Sequence, residues 1–132
     1  MKNRTFSNSE RQLIDTAIRN NYEDINFNVS RLCYYLNTNP SSLREITIRN
    51  YGLLPKNLIE NMRLEYSLHL LLFDLKIIEI AEQAGYANSR SFRAAFKKRF
   101  HVTPVEFRKM LSKFTEDRRV NFVMNCKRIL WG

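Results

Sequence analysis

Three basic residues in the second half of the chain stand at the spacing of one helix face. Arg90, Arg93 and Lys97 are separated by three, four and seven positions, and an α-helix brings residues with this spacing onto one side. A guanidinium group can donate two parallel hydrogen bonds to a phosphate or to the edge of a guanine base, whereas an ammonium group binds phosphate as a point charge. The spacing therefore predicts a binding surface for an acidic partner, and nucleic acid suits this chemistry.

The neighbouring residues predict the helix that must carry these cations. Phe92, Phe96 and Phe100 recur at helical spacing on roughly the opposite side. Asn88 precedes them, and an asparagine side chain is a preferred N-cap of a helix. A helix of this kind can bury its aromatic side and present its basic side to DNA.

Two further helices flank this one. The preceding helix has apolar residues at positions 77, 80, 81 and 84, and Gly85 tolerates the positive φ that commonly ends a helix. The following helix begins at Thr103 and Pro104, where threonine offers a capping oxygen and proline suits the first helical position. Glu106 completes a capping box. Residues 77–108 therefore predict a helix-turn-helix followed by a capped third helix.

The order of these residues resembles the second helix-turn-helix of the AraC/XylS family of bacterial transcription regulators. The matching positions are Ile80-Ala81, Gly85-Tyr86, Asn88-Ser89, Phe92, Phe96-Lys97, Thr103-Pro104 and Phe107-Arg108. With a further match at Arg63-Leu64 and Leu70-Leu71-Leu72, the resemblance covers roughly residues 8–111. It implies an all-α fold with two helix-turn-helix subdomains joined by a long connecting helix.

The domain organisation follows from this resemblance. Residues 1–114 are expected to form the DNA-binding domain, and its parts are a first subdomain at 8–54, a connecting helix at 55–73 and a second subdomain at 74–111. Ser7 and Glu10 predict a capping box that opens the first helix, and Pro40 suits the start of the helix after the first turn.

Residues 115–132 are expected to be a C-terminal extension of unknown role. Residues 115–119 resemble a polar turn. Residues 120–131 fit either a strand or the flank of a helix, because their periodicity does not separate the two. Packing of this extension back onto the domain is favoured over a surface that binds a partner or dimerises.

The resemblance implies which residues contact DNA. In the second recognition helix the base-reading residues are Ser89, Arg90, Arg93 and Ala94, and phosphate contacts are expected from Lys97, Lys98 and Thr103. Arginine can pair with guanine and Ser89 with either base type, whereas Ala94 can meet only a thymine methyl group.

In the first recognition helix a helical projection places five residues on the outward face. They are Ser41, Arg44, Glu45, Ile48 and Arg49. The first three are expected to read bases and Arg49 to contact phosphate. An outward glutamate repels phosphate unless it accepts a hydrogen bond from a cytosine amino group, and an exposed isoleucine can touch only a thymine methyl group.

This first helix-turn-helix departs from the family pattern at several positions. Relatives usually have a basic or amide residue at position 45, a phenylalanine at position 47 and a lysine at position 48, where this chain has Glu45, Thr47 and Ile48. Leu54 also lacks the capping oxygen that a serine or threonine normally offers before the proline, at a cost of about 0.5–2 kcal/mol. We therefore expect the first helix-turn-helix to bind weakly or to read little sequence.

The charge of the chain supports an acidic partner. The 132 residues have a net charge of +9. Residues 1–66 hold 9 Lys and Arg against 7 Asp and Glu, whereas residues 67–132 hold 13 against 6. The basic excess lies in the half that carries the stronger motif, as electrostatic binding to DNA requires.

Other classes of protein have little support in the sequence. Cys33 and Cys126 lack the spacing of a disulfide or metal pair, and neither His69 nor His101 has ligand neighbours. No cofactor, metal site or enzymatic activity is expected. The apolar run at residues 68–73 is too short to span a bilayer, and no signal peptide opens the chain.

The sequence therefore predicts a sequence-specific DNA-binding transcription regulator, whose two recognition helices enter successive major grooves about 34 Å apart. The resemblance implies binding to double-stranded promoter DNA, activation through RNA polymerase, and a cytoplasmic, nucleoid-associated location in bacteria. The alternatives are a nonspecific nucleoid-type protein and a helical adaptor that binds protein partners.

Most relatives add a sensing domain that does not fit within this length. The chain is thus expected to be either a single-domain member or the C-terminal part of a larger regulator. Its oligomeric state is left open, with a monomer as one alternative.

Overall fold

The computed structural model describes residues 2–131, with their side chains from residue 9 onward. These residues form eight α-helices joined by turns, and they contain no strand. The helices are α1 (Lys2–Arg19), α2 (Val29–Tyr35), α3 (Pro40–Tyr51), α4 (Pro55–Leu70), α5 (Ile77–Gln83), α6 (Ser89–Phe100), α7 (Pro104–Ser112) and α8 (Glu116–Trp131). The predicted all-α class is confirmed. The chain divides into two units, Met1–Met62 and Arg63–Gly132.

The first unit is formed around apolar side chains from α1, α2, α3 and the first half of α4. Ile14 and Ile18 of α1, Leu32 of α2, Leu43 of α3 and Leu58 of α4 are almost completely buried. The helix α1 contacts both α2 and α3. Burial of each such side chain stabilises the fold by about 1.5–3 kcal/mol, so α1 holds the α2–α3 pair in place.

The opening helix starts earlier than the sequence predicted. Because α1 begins at Lys2, the backbone N–H groups near residue 10 have partners within the helix and need no cap. The side chain of Ser7 lies outside the described residues. The carboxylate of Glu10 accepts hydrogen bonds from Arg49 and Asn50 of α3, so the predicted capping box is wrong.

The second unit is formed around the aromatic side of α6. Phe92 and Phe96 are fully buried. The Phe96 ring meets the Phe107 ring of α7 edge-on with their centroids 5.4 Å apart, and Phe107 lies 5.5 Å from Phe122 of α8. Edge-on and tilted contacts of this kind stabilise aromatic pairs beyond the area that they bury. A continuous row of rings therefore joins α6, α7 and α8.

The C-terminal extension is a helix that packs into this core. Since α8 begins at Glu116, the turn predicted at residues 115–119 is wrong, and the helix is the alternative adopted at residues 120–131. Val123, Cys126 and Leu130 are buried in the same cluster as Phe96 and Phe107. Their spacing of three and four is helical, and acidic residues at positions 116 and 117 favour a helix N-terminus.

The connecting helix α4 ends at Leu70, three residues before the predicted boundary. The Leu71 N–H still donates to the Ser67 carbonyl, but the Leu72 and Phe73 N–H groups donate to carbonyls only three residues back. This tighter bonding is typical of a terminating helix. Residues 55–62 of α4 belong to the first unit and residues 63–70 to the second.

The helices α3 and α6 begin in the same way, at positions 49 residues apart. Asn39 precedes α3, and its side chain accepts a hydrogen bond from the Ser42 N–H at 2.9 Å. Asn88 precedes α6, and its side chain accepts from the Ser91 N–H at 2.8 Å. Each cap satisfies an N–H group that the first turn leaves without an acceptor.

The same two helices also end in the same way. Gly52 has a φ of 69° after α3, and His101 has a φ of 64° after α6. In each case the N–H of the capping residue donates to the carbonyl four residues back at 2.8 Å. A left-handed backbone suits glycine but costs other L-residues roughly 1–2 kcal/mol, so the end of α6 stores strain at His101 that the end of α3 avoids at Gly52.

We predict that Phe107→Ala lowers the free energy of unfolding by about 3–5 kcal/mol, because the buried ring is the centre of the aromatic row. Chemical denaturation monitored by circular dichroism measures this loss. Phe73→Ala is the matched control, since Phe73 is 64% exposed, and it should change stability by no more than about 0.5 kcal/mol. Equal losses for the two variants would contradict the packing described for Phe107.

We also predict that His101→Gly stabilises the chain by about 1 kcal/mol, because glycine adopts the left-handed cap without strain. The matched variant is Gly52→Ala, which should destabilise by a similar amount. A Cβ at Gly52 would meet no atom within 4 Å, so that loss reports backbone strain alone. Thermal and chemical unfolding of both variants test this, and a destabilising His101→Gly would show that the imidazole has a structural role.

Candidate nucleic-acid interface

The second helix-turn-helix, called here the second head, consists of α5, residues 84–88 and α6. Gly85 has a φ of 94°, and the Tyr86 N–H donates to the Ala81 carbonyl at 2.9 Å. The Tyr86 ring lies 5.4 Å from the Phe92 ring, centroid to centroid. The left-handed turn and this aromatic contact together fix where α6 leaves the turn and which of its sides faces the core.

The outer face of α6 is the side opposite its buried phenylalanines. It is formed by Arg90, Arg93, Ala94, Lys97 and Lys98, and all five side chains are exposed. Within the part of the chain that the structure describes, the four cations take part in no hydrogen bond or ion pair of their side chains. Their charges are therefore available to a ligand. Ser89, the first residue of the helix, is half-buried.

The C-terminal end of α6 and the start of α7 are more constrained. Arg99 is half-buried and donates to the Leu130 carbonyl of α8 at 3.4 Å, so it lies against the protein and not on the outer face. Thr103 Oγ1 accepts from the Glu106 N–H at 3.1 Å, and the Thr103 N–H donates to the Glu106 carboxylate at 3.0 Å. The hydrogen bond from the Thr103 N–H, followed by the effect of the Thr103 side chain, lowers the pKa of the Glu106 carboxyl group. A charged carboxylate therefore lies beside the phosphate contact predicted at Thr103.

The first helix-turn-helix, called here the first head, consists of α2, residues 36–39 and α3. Its turn is one residue shorter than that of the second head. Asn37 takes the left-handed conformation, with a φ of 52°, which asparagine adopts more readily than most residues. The Thr38 N–H donates to the Cys33 carbonyl at 3.0 Å, as Tyr86 does to Ala81 in the second head.

The outer face of α3 is formed by the five residues that the helical projection predicted, and all of them are exposed. They are Ser41, Arg44, Glu45, Ile48 and Arg49. Thr47 is fully buried and its hydroxyl donates to the Arg44 carbonyl at 3.2 Å. It occupies the position that corresponds to Phe96 of α6, so a smaller side chain fills the core of the first head.

A carboxylate from α1 occupies the end of this outer face. Arg49 Nη2 donates to both oxygens of Glu10, at 3.0 and 2.9 Å. Asn50 Nδ2 donates to the same carboxylate at 3.3 Å. The hydrogen bonds from Arg49 and then Asn50 lower the pKa of Glu10, so the carboxylate is charged at neutral pH.

The sequence did not reveal this ion pair, because its partners are 39 positions apart and no local pattern connects them. It makes the two outer faces electrostatically different. Four cations lie on the outer face of α6, and the charge of one of them, Lys97, helps to lower the pKa of Glu106 on α7 without forming an ion pair with it. On α3, Arg44 and Arg49 lie beside Glu45 and Glu10. The predicted roles of these residues in DNA contact remain predictions.

Among the described residues, none of the helices combines the length and the apolar composition that a membrane span requires. No group of three or more histidine, cysteine, aspartate or glutamate side chains there is placed to hold a metal ion.

The amino-acid sequence matches known regulators. A family model described as a helix-turn-helix domain matches residues 32–110, a segment that includes the second head and all of the first except the first three residues of α2. The chain is 32% identical over 92 residues to the TCP pilus virulence regulatory protein of Vibrio cholerae. This alignment covers 69% of the chain and 33% of the relative, so the chain spans about a third of that protein's length.

Solved structures share the fold. The C-terminal domain of the two-component response regulator yesN from Fusobacterium nucleatum is 31% identical, with a TM-score of 0.71 over 74% of this chain and 96% of that one. The C-terminal domain of AraT, a response regulator from Geobacillus stearothermophilus, is 26% identical, with a TM-score of 0.71 over 81% of this chain and 90% of that one. With two capped recognition helices, a family match across both heads and these structural relatives, the chain belongs to the AraC/XylS family of helix-turn-helix transcription regulators.

Proposed function

We propose that this chain binds promoter DNA with sequence specificity and regulates transcription. The observation that carries the proposal is the outer face of α6, where four cations that form no ion pair or side-chain hydrogen bond among the described residues lie on a short helix capped at both ends. A helix with one buried side and one basic side can enter the major groove. The names of the relatives, a virulence regulatory protein and two response regulators, support a role in regulation.

The position of each cation along α6 suggests its role. Arg90 and Arg93 lie in the first turns, where a recognition helix reaches base edges, and each can donate two hydrogen bonds to guanine. Ser89 and Ala94 complete the base-reading set. Lys97 and Lys98 lie further along the helix and supply phosphate contacts, with Thr103 at the start of α7. Phosphate contacts provide affinity and base contacts provide discrimination.

The first head has a lesser share in recognition. Ser41, Arg44 and Glu45 are its candidate base-reading residues, and Glu45 can accept a hydrogen bond only from a base edge such as the cytosine amino group. Ile48 is 46% exposed and can contribute only apolar contact with a thymine methyl group. We infer that the two heads enter successive major grooves and that the second determines most of the specificity.

A nonspecific DNA-binding role is the second candidate. The observation in its favour is the mixed charge of the outer face of α3, which offers little for reading bases. Activation of transcription through RNA polymerase and a cytoplasmic location associated with the nucleoid belong to the proposal as well. They rest on the family resemblance.

We predict that selection from randomised duplex DNA yields a site with two unequal halves. The half under α6 should be sharply defined and the half under α3 degenerate, because Glu45 and Ile48 contact few base edges. Sequencing of the bound pool gives the information at each position. A pool with no enriched sequence would favour the nonspecific role, a pool better defined under α3 would reverse the assignment of the heads, and no bound pool at all would favour a protein-binding adaptor.

We further predict that Arg90→Ala and Arg93→Ala each weaken binding to the selected site by about 1–3 kcal/mol and relax the preference at one base. The residue for comparison is Lys98, also exposed on α6, and Lys98→Ala should weaken binding to every sequence alike. Fluorescence anisotropy with selected and random duplexes measures both effects, with thermal melts as a folding control. If both arginine variants lose equal affinity for the two duplexes, they contact phosphate and do not read bases.

A further inference from the structure

The pairing of Arg49 with Glu10 has no counterpart at the end of α6. Lys98 occupies the position of α6 that corresponds to Arg49, 49 residues later, and its ammonium group takes part in no ion pair in the described residues. Both side chains are exposed at the same place on their helices. The difference between them is the carboxylate that α1 supplies to Arg49 alone.

Contacts of Glu10 and of the neighbouring residue Arg11 with α3 hold the Glu10 carboxylate in place. Arg49 and Asn50 both donate to its carboxylate. The next residue of α1, Arg11, donates to the Asn50 carbonyl at 2.8 Å, and its guanidinium carbon lies 4.5 Å from the centre of the Tyr51 ring. Tyr51 Oη donates to the Arg11 carbonyl at 3.2 Å. The side of α1 that carries Glu10 is thus attached to the last turn of α3.

A carboxylate bound to a guanidinium has the same chemistry as a phosphate bound to it, since both present anionic oxygens to its N–H donors. Binding of DNA gains affinity when a protein cation replaces condensed counterions on a phosphate. A cation already neutralised by a carboxylate contributes little to this gain. If the ion pair persists in the complex, the carboxylate also lies close to the phosphate and repels it.

We propose that Glu10 competes with DNA phosphate for Arg49 and thereby sets the affinity of the first head below that of the second. The inference rests on the proposed function, because it requires that the outer face of α3 meets DNA. Glu10 acts from α1, outside the segment that the family model matches, so the affinity of the first head depends on a residue that does not itself read DNA.

The test compares four variants of the 132-residue chain with the unchanged chain on one random-sequence duplex of about 21 base pairs, two helical turns. The variants are Glu10→Gln, Asp15→Asn, Arg49→Ala and the double variant Glu10→Gln/Arg49→Ala. Asp15→Asn is the matched control, because it removes the same charge from α1 but Asp15 pairs with Arg19 of its own helix, at 2.8 Å. Affinity is measured over a series of salt concentrations, and thermal melts confirm that each variant is folded.

We expect Glu10→Gln to bind about twofold to fivefold more tightly than the unchanged chain, the range set by the strength of exposed ion pairs. The slope of log affinity against log salt concentration should become steeper by about 1, as for one added phosphate contact. Asp15→Asn should have a clearly smaller effect. When Arg49 is alanine, Glu10→Gln should gain no more than Asp15→Asn does.

Several results would overturn the inference. Weaker binding by Glu10→Gln would mean that the carboxylate orients Arg49 for DNA, and a gain equal to that of Asp15→Asn would mean that only overall charge matters. A full gain without Arg49 would exclude competition for that residue. If the unchanged chain binds the duplex and Glu10→Gln binds no more tightly, only the inference fails. If the unchanged chain has no affinity for duplex DNA even at low salt, the proposed function fails and the inference fails with it.

Discussion

The burial of Phe96 is the interaction on which the second unit depends. Its ring contacts those of Phe92, Phe100 and Phe107, and through Phe107 the contact extends to α8. Because these rings occupy one side of α6, the opposite side must face solvent. Core packing therefore orients Arg90 and Arg93 toward solvent, and no contact of the two arginine side chains is needed to maintain this orientation. A change that displaced the aromatic row would move the basic face with it.

The two heads show how one plan of construction can give surfaces of different charge. The Asn caps and the left-handed helix ends are repeated, and the turns differ in length by one residue. The differences lie in single side chains at corresponding positions: Thr47 for Phe96 in the core, and Ile48 for Lys97 on the surface. Each exchange leaves the backbone in place. The core exchange alters how much apolar area is buried, and the surface exchange alters the charge offered to a ligand.

The sequence predicted the parts of this structure that depend on local chemistry. Asn88, Gly85 and the Thr103–Glu106 capping box act over three or four residues, and helical periodicity was enough to place the outer face of α3. The predictions that failed depend on distant residues. Glu10 stands at the spacing from Ser7 that a capping box requires, but the partners of its carboxylate are on α3, about forty residues away. At residues 120–131 the sequence left a strand and a helix open, and the burial of Val123, Cys126 and Leu130 in the core of the second unit fits only the helix.

The separation of buried and exposed positions on α6 has an evolutionary consequence. The residues that fix its length and orientation are Asn88, the phenylalanines and the left-handed cap at His101, and none of them lies on the outer face. Substitutions on that face are therefore nearly neutral for folding. Under the proposed function, a lineage that carries this domain can drift toward a different operator by single replacements at Arg90, Arg93 or Ala94, and each intermediate in such a series remains a folded protein.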